Sequence, residues 1–175
     1  MSIDVTVSGE SRSVEPGTTA AALFDGDRSV LVARVNGELK DLTYSVQAGD
    51  VIEPVGADDP EGLAVLRHST THVMAQAVQS LFPDAKLGIG PPIKDGFYYD
   101  FMVEQPFHPD DLTRIEKKMV EILKAGQTFS RRVVTEDEAH RELASEPFKI
   151  ELIGKKGGNA DEIMETGGSE LTVYD

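Results

Sequence analysis

The sequence predicts an α+β protein of two domains, and two observations lead to this prediction. The first 55 or so residues alternate between short apolar runs and turn signals, whereas sustained helical periodicity begins only after residue 60. Between these parts lies the polar segment Gly-Ala-Asp-Asp-Pro at 56–60, which is typical of a boundary between modules. We therefore predict one domain over residues 1–56 and a second over residues 60–175.

The amino-terminal domain is predicted to consist mainly of short strands. Apolar and polar residues alternate from Ile3 to Val7, and Ser8-Gly9-Glu10 then interrupts the run, which indicates a β-hairpin. Asn36-Gly37 is a second tight-turn signal because both residues tolerate positive φ. A hairpin, a short helix and further strands in so short a segment predict a small ubiquitin-like β-grasp domain. The remaining predicted elements are a helix at 18–24 capped by Thr18 and strands at 12–14, 30–35, 39–42 and 51–55.

The second domain is predicted to mix helices with strands in an α/β unit. A helix is predicted from 61 to 82, where Pro83 ends it, because apolar residues form one stripe at about 100° per residue. The stripe consists of Leu63, Leu66, Val73, Met74, Ala77 and Leu81. A second helix is predicted to begin at Pro109 and to bury Leu112, Ile115, Met119 and Ile122. A third is predicted to begin at Thr135, with Glu138 completing a capping box. Strands are predicted at 86–90, 97–101, 129–134, 149–153 and 171–174, and a loop at 154–168.

Charge and composition limit the possible functions. The chain carries 31 acidic and 17 basic residues, a formal net charge of −14, which argues against an autonomous nucleic-acid binder. Any RNA contact must then rest on other domains, on a pocket for one terminal nucleotide, or on small basic clusters at 117–118, 131–132 and 155–156. The chain has no cysteine, no leader-like start and no membrane-length apolar run, so we expect a cytoplasmic protein without membrane contact.

His68 and His72 form the most informative candidate site. Because they are four residues apart on a predicted helix, their imidazoles can converge on a metal, a water or a substrate atom. The alternative is a pair of surface histidines at chance spacing. A zinc site needs three or four ligands, and with no cysteine and only His108 and His140 as further imidazoles we expect no metal. Ser69 stands where the metalloprotease helix pattern requires glutamate, which argues against peptide hydrolysis.

A glycine-rich segment and an aromatic strand follow the histidine helix. The segment at 88–96 lacks the Gly-Lys-Ser/Thr ending of a phosphate-binding loop, and we predict that it connects two strands. In the second of these strands, Tyr98 and Tyr99 point to opposite faces. One of them can therefore line a pocket while the other packs or meets solvent, although core packing alone would also explain two adjacent aromatic residues.

Several of these segments, taken in order, resemble the editing domain of bacterial threonyl-tRNA synthetases. They are Arg-His-Ser-x-x-His at 67–72, Lys-Leu-Gly-Ile-Gly-Pro-Pro at 86–92, Asp-Gly-Phe-Tyr-Tyr-Asp at 95–100 and Glu-Pro-Phe-Lys-Ile-Glu-Leu-Ile at 146–153. The first 55 or so residues, with Arg-Val-Asn-Gly-Glu-Leu-Lys-Asp-Leu at 34–42, resemble the β-grasp TGS domain that precedes it. Alanyl-tRNA synthetases share the two histidines, but the Gly-Phe-Tyr-Tyr-Asp segment and the leading domain favour the threonyl family.

The resemblance implies hydrolysis of serine wrongly attached to threonine tRNA, with the acceptor end of tRNA(Thr) and the remainder of the synthetase as partners. A missing methyl group discriminates by only about 1–3 kcal/mol, so a second sieve is required. Carried over residue by residue, His68, His72 and Lys149 are catalytic residues of the editing pocket, and Tyr99 binds the substrate. We expect His68 to position or deprotonate the attacking water and Lys149 to stabilise the charge that develops at the ester.

The resemblance also implies parts that this sequence does not carry. The family completes the pocket with an Asp-x-Cys-Arg-Gly-Pro-His segment soon after the strand matching 171–174, and this chain ends at Asp175, so we expect the isolated chain to be inactive. No cofactor is expected in the chain; ATP, Mg and Zn are expected only in the absent synthetase core. Two alternatives stay open, a non-catalytic TGS-type binding or regulatory module and a free-standing editing hydrolase.

Overall fold

The computed structural model describes residues 2–126, 131–154 and 172–174. The contacts between residues divide the chain into two compact units, Met1–Arg67 and His68–Asp175. The chain contains both helices and strands, which confirms the predicted α+β class. Apart from residue 154, the predicted loop at 154–168 lies outside the described residues, as does the start of the predicted strand at 129–134. The domain limits 1–56 and 60–175 stay a prediction.

The first unit is built on a five-stranded mixed sheet. Its strands are β1 (Ile3–Val7), β2 (Glu10–Val14), β3 (Val30–Val35), β4 (Glu38–Lys40) and β5 (Val51–Gly56). They lie in the order β2-β1-β5-β3-β4, with β1 and β5 parallel and every other neighbouring pair antiparallel. The predicted hairpin and the strands at 30–35 and 51–55 are therefore confirmed.

The core of the first unit uses apolar side chains from the sheet and from a short 3-10 helix, Ala20–Phe24. Thr18 was predicted to cap this helix, but its hydroxyl donates to the Glu15 carbonyl at 2.8 Å, and Thr19 is the N-cap instead. The helix therefore begins at Ala20, one residue later than a cap at Thr18 would give. The buried residues are Val5, Val7, Ala20, Leu23, Ala33, Val35, Val46 and Ile52.

A buried carboxylate organises the turns of the first unit. Asp50, 5% exposed, accepts hydrogen bonds from Asn36 Nδ2 at 2.8 Å, from the Tyr44 hydroxyl at 3.2 Å and from the Gln47 amide at 2.7 Å. Asn36 and Gly37 have φ values of 52° and 87°, so the predicted tight turn between β3 and β4 is confirmed. Burial, with Asp50 beside it, raises the pKa of Tyr44.

Four helices and three two-stranded ladders make up the rest of the described chain. The helices are α1 (Pro60–Leu81), α2 (Pro109–Ala125), α3 (Glu136–Glu142) and α4 (Pro147–Gly154). The paired strands are β6 (Lys86–Leu87) with β9 (Phe101–Met102), β7 (Pro92–Ile93) with β8 (Gly96–Phe97), and β10 (Arg131–Val133) with β11 (Thr172–Tyr174). In the described part of the chain, none of the helices is long and apolar enough to cross a membrane.

The strands predicted at 86–90 and 97–101 are shorter than expected. Only Lys86–Leu87 pairs with Phe101–Met102, and the predicted connecting loop folds into the small hairpin of β7 and β8. The backbones come close at Gly88, where an added Cβ would lie 2.8 Å from the Asp100 carbonyl oxygen. This glycine permits the close approach because it carries no side chain.

Most of the residues predicted to form the buried faces of the helices are buried or partly buried, but not all of them. One buried cluster of the second unit takes its residues from α1, α2 and the turn between α1 and β6. Leu112 was predicted to be buried and is 62% exposed, and Leu66, in the first unit, is 40% exposed. Periodicity predicts which face of a helix is apolar, but it does not predict how much of that face a neighbouring element covers. The buried residues of this cluster are Val73, Ala77, Val78, Ala85, Ile115 and Ile122.

The strand predicted at 149–153 is wrong, because these residues belong to α4. Pro147 stands at the first helical position, which it favours, and the Ile150 amide donates to the Glu146 carbonyl at 3.1 Å. Ile150 and Ile153 are one helical turn apart, and they pack with buried Val134 and Ala139. Their apolar spacing fits a helix against a neighbour better than an alternating strand.

The start of α3 confirms the predicted capping box. The Thr135 hydroxyl accepts from the Glu138 amide at 3.3 Å, and the Glu138 carboxylate accepts from the Thr135 amide at 2.8 Å. The carboxylate accepts from both the Thr135 amide and the Thr135 hydroxyl, the latter at 2.9 Å, and these bonds to the charged form lower the pKa of Glu138. At the start of α2, Asp111 accepts from the His108 amide at 2.9 Å, which lowers the pKa of Asp111 in the same way.

Candidate functional site

The two histidines predicted as catalytic residues contact each other on α1. Their Nε2 atoms are 2.9 Å apart, and the rings meet edge to face with centroids at 4.5 Å and an interplanar angle of 89°. At this distance one Nε2 must donate and the other must accept, so the two nitrogens cannot both carry a proton. Imidazoles held in such a contact are candidates for acid–base chemistry.

The sequence of α1 places this pair beside the core rather than in it. Val73 is 4% exposed and Ala77 is fully buried, which fixes the rotation of the helix about its axis. His68 and His72 lie on another face and are half-buried. The Thr71 hydroxyl donates to the His68 carbonyl at 2.6 Å, within the same turn. Across the described residues, no three His, Asp or Glu side chains are grouped as a metal site would need.

The other two predicted site residues, Tyr99 and Lys149, also meet. Lys149 Nζ lies 6.0 Å from the centroid of the Tyr99 ring, at the outer limit of a cation–π contact. Tyr99 stacks on Phe101 with ring centroids 4.8 Å apart and an interplanar angle of 21°. Tyr98, in contrast, is 45% exposed, whereas Tyr99 is half-buried. Both lie between β8 and β9 and not in a strand, so the prediction that they point to opposite faces of one strand is not confirmed.

Lys149 lies in the first turn of α4. The free N–H groups and the positive end of the helix dipole are found there, and both favour negative charge nearby. Because the Lys149 ammonium adds a full positive charge at the same helix end, this region can stabilise an anionic oxygen. The sequence prediction located Lys149 in a strand; the helix instead presents it three residues after Glu146.

A cavity of about 290 Å³ lies beside the tyrosine–lysine pair. It is formed between α4 and the residues that follow β6 and lead into β9, and the four predicted site residues are not among those that line it. Phe101 belongs to both features, since it stacks on Tyr99 and lines the cavity. Apolar walls with a few polar groups are typical of small-molecule sites. The lining residues are Gly88, Ile89, Asp100, Phe101, Met102, Phe148 and Glu151.

The sequence prediction gave no role to Glu146 and Gly90, which hold parts of this region in place. Glu146 accepts hydrogen bonds from Gln79 and from the Leu87 amide, and Gly90 lies against the Tyr99 ring. Glu146 and Gly90 lie inside segments that carry the resemblance, but only the fold shows which residues they meet. The structure thus brings together His68 with His72 and Tyr99 with Lys149. Their roles as catalytic and substrate-binding residues stay a prediction.

Comparison with known proteins shows which class of protein this chain is similar to. No protein-family model matches it. Individual matches are strong, and they are to the amino-terminal region of ligases that charge tRNA with an amino acid.

The particular relatives are bacterial threonine–tRNA ligases. The chain is 63% identical over 169 residues to the enzyme of Streptomyces coelicolor, which covers 95% of the chain and 26% of the relative. It is 56% identical over 176 residues to that of Thermobifida fusca, covering 98% of the chain and 27% of the relative. For Bifidobacterium longum the identity is 53% over 175 residues, covering 99% and 26%. The predicted resemblance is confirmed, and the chain spans about a quarter of the length of these relatives.

Proposed function

We propose that the chain is the amino-terminal part of a bacterial threonine–tRNA ligase and that its second unit contributes to a site that hydrolyses seryl-tRNA(Thr). The observation that carries the proposal is the His68–His72 contact, with Nε2 atoms 2.9 Å apart, in the segment that resembles the editing domain. The identity of 63% to the Streptomyces coelicolor ligase supports it.

The proposed reaction is the cleavage of one ester bond by water. A water oxygen attacks the carbonyl carbon of the seryl ester, and His68 takes the proton that the water loses. The bond from that carbon to the terminal ribose oxygen then breaks, and the ribose oxygen takes the proton. The products are serine and uncharged tRNA, so atoms and charge balance without another reactant.

The remaining site residues have separate tasks in this reaction. His68 Nε2 donates to His72 Nε2, and this contact leaves His68 Nδ1 as the nitrogen that takes the proton of the water. Lys149 stabilises the negative charge that develops on the ester oxygen, a task for which a fixed ammonium is suited. Tyr99 binds the substrate and holds the Lys149 side chain against its ring. Each role is a proposal supported by the contact in which the residue takes part.

The first unit is proposed to be a β-grasp domain of the TGS type. Its mixed sheet, with the parallel β1–β5 pair in the middle and the 3-10 helix in its core, supports this assignment. A formal net charge of −14 for the whole chain argues that affinity for tRNA comes from other parts of the ligase. We propose that tRNA(Thr) and those other parts are the partners of the chain.

The test is the release of serine from seryl-tRNA(Thr), with threonyl-tRNA(Thr) as the competing substrate. The chain is assayed alone and in a chimaera in which it replaces the matching region of the Streptomyces coelicolor ligase. We expect the chimaera to release serine much faster than threonine. If the chimaera charges tRNA normally but releases neither amino acid, the chain is a non-catalytic module. If the chain alone suffices, it is a free-standing hydrolase.

A further inference from the structure

Glu146 connects three elements of the second unit. Its Oε1 atom accepts from Gln79 Nε2 of α1 at 3.0 Å, and its Oε2 atom accepts from the Leu87 amide of β6 at 2.8 Å. Its backbone carbonyl accepts from the Ile150 amide of α4 at 3.1 Å. Both carboxylate oxygens therefore bind to neighbouring elements, while the backbone begins the helix that carries Lys149.

The elements that Glu146 connects are the ones that carry the candidate site. Gln79 lies seven residues after His72, which is two helical turns along the same face of α1. Lys149 lies three residues after Glu146, in the first turn of α4. The Gln79–Glu146 hydrogen bond is thus a direct link between the helix of the histidines and the helix of the lysine.

We propose that Glu146 is a positioning residue that sets where Lys149 lies relative to the His68–His72 pair. A carboxylate suits this position because it only accepts hydrogen bonds and can meet two donors at once. Hydrogen bonds to an ionised acceptor are also stronger than neutral ones, and Glu146 is half-buried. The consequence for catalysis rests on the proposed function, whereas the effect on the position of Lys149 does not.

Exchanging the side chains of Gln79 and Glu146 tests this proposal, because the two single variants and the double variant are expected to differ in a defined order. Gln79→Glu places two carboxylates face to face, so the link is lost and the charges repel. Glu146→Gln is mild, because its amide oxygen accepts from the Leu87 amide while its nitrogen donates to a rotated Gln79. In the double variant, the side-chain amide introduced at position 146 donates to the carboxylate introduced at position 79 and still accepts from Leu87. We therefore expect the double variant to recover the link between positions 79 and 146.

The position of Lys149 is read by NMR on the 175-residue chain. Because Nζ lies over the Tyr99 ring, 6.0 Å from its centroid, we expect the ε-methylene protons to carry a ring-current shift. We expect Gln79→Glu to reduce this shift and the double variant to restore it. Gln76→Glu, which adds the same charge at an exposed position of α1, is the matched control. If Gln79→Glu leaves the shift unchanged, or the double variant does not restore it, the positioning role is wrong.

Serine release by the chimaera gives the second readout. A displaced catalytic group can cost about 10²-fold in rate, so we expect Gln79→Glu to lower kcat by that order with little change in KM. Recovery of kcat in the double variant is expected, and its absence overturns the role. If serine release depends on His68 but Lys149 is not moved, the proposed function stands and the positioning role fails. If Lys149 is moved as expected but no serine is released, the positioning role stands and the proposed function fails.

Glu146→Asp keeps the test decisive if Gln79→Glu does not fold. The shorter side chain reaches only one of its two partners, so one hydrogen bond is kept and the chain should still fold. We expect an intermediate loss of the Lys149 ring-current shift and of kcat. A wild-type shift and a wild-type kcat in a folded Glu146→Asp chain would count against the positioning role.

Discussion

Lys149 holds its ammonium over the ring of Tyr99, with Nζ 6.0 Å from the ring centroid. The tyrosine is itself fixed on two sides, since it stacks on Phe101 and lies against the backbone of Gly90. Lys149 therefore lies at the end of a series of packed groups in which each sets the place of the next. A change at any of them should move the ammonium.

Gly90→Ala should disrupt this packing directly. A Cβ there would lie 2.2 Å from Tyr99 Cδ2, so the ring must move. We expect the free energy of unfolding to fall by about 1–3 kcal/mol, as for other overpacked sites, and serine release by the chimaera to slow. Urea unfolding of the chain measures the first effect. In the double variant with Tyr99→Ala, the alanine at 90 should cost much less; equal costs in both backgrounds would contradict the contact.

Lys149→Ala should lower kcat for serine release by about 10²–10³-fold, the cost of removing one group that stabilises a developing anion. The measurement is single-turnover hydrolysis of seryl-tRNA(Thr) by the chimaera. Lys124→Ala, an exposed lysine of α2, is the control for loss of one positive charge. Equal rates for the two variants would remove Lys149 from the reaction.

Asp50→Ala should destabilise the first unit. It leaves the Asn36 amide, the Tyr44 hydroxyl and the Gln47 amide without their buried acceptor. A buried donor left without its acceptor costs about 1–3 kcal/mol, but Asn36 and Gln47 are exposed and can bind water instead, so we expect a total loss of about 2 kcal/mol in the free energy of unfolding. Glu53→Ala, an exposed carboxylate of β5, should change it by less than about 0.5 kcal/mol. A loss of that small size for Asp50→Ala would contradict the hydrogen-bond assignment.

The Glu138 capping box should make α3 sensitive to acid. Hydrogen bonds from Thr135 lower the pKa of Glu138 below its ordinary value of 4.5. Because the folded pKa is the lower one, this stabilisation is present above pH 4.5 and is lost as the pH falls through the folded pKa. Urea unfolding at pH 7 and at low pH should show a smaller acid loss in Glu138→Gln than in the wild type. Glu116→Gln, on α2, is the control; an equal acid loss in Glu138→Gln would contradict the prediction.

The sequence was informative where structure is local. The four-residue spacing of His68 and His72 predicts their contact because one helical turn decides it. The Asn36-Gly37 turn and the Thr135 capping box are local in the same sense, and both are confirmed.

The predictions failed where the same residues fit both a helical and a strand pattern. They also failed where two contacting residues are far apart in the sequence. Ile150 and Ile153 suit a helix face, but the segment from 149 to 153 also alternates in polarity, which favoured a strand. Glu146 and Gln79 are 67 residues apart, and nothing in their local sequence indicates that they meet. Long-range contacts of this kind depend on how helices pack, which periodicity alone does not determine.

The most direct test of the proposed function is the rate of serine release from seryl-tRNA(Thr) by the His68→Ala chimaera. His108→Ala, an exposed histidine at the start of α2, is the matched control. We expect a loss of about 10²–10⁴-fold for His68→Ala, the usual contribution of a general base, and none for His108→Ala. Serine release that is equal in the two variants would contradict the assignment of the histidine pair to the hydrolytic site.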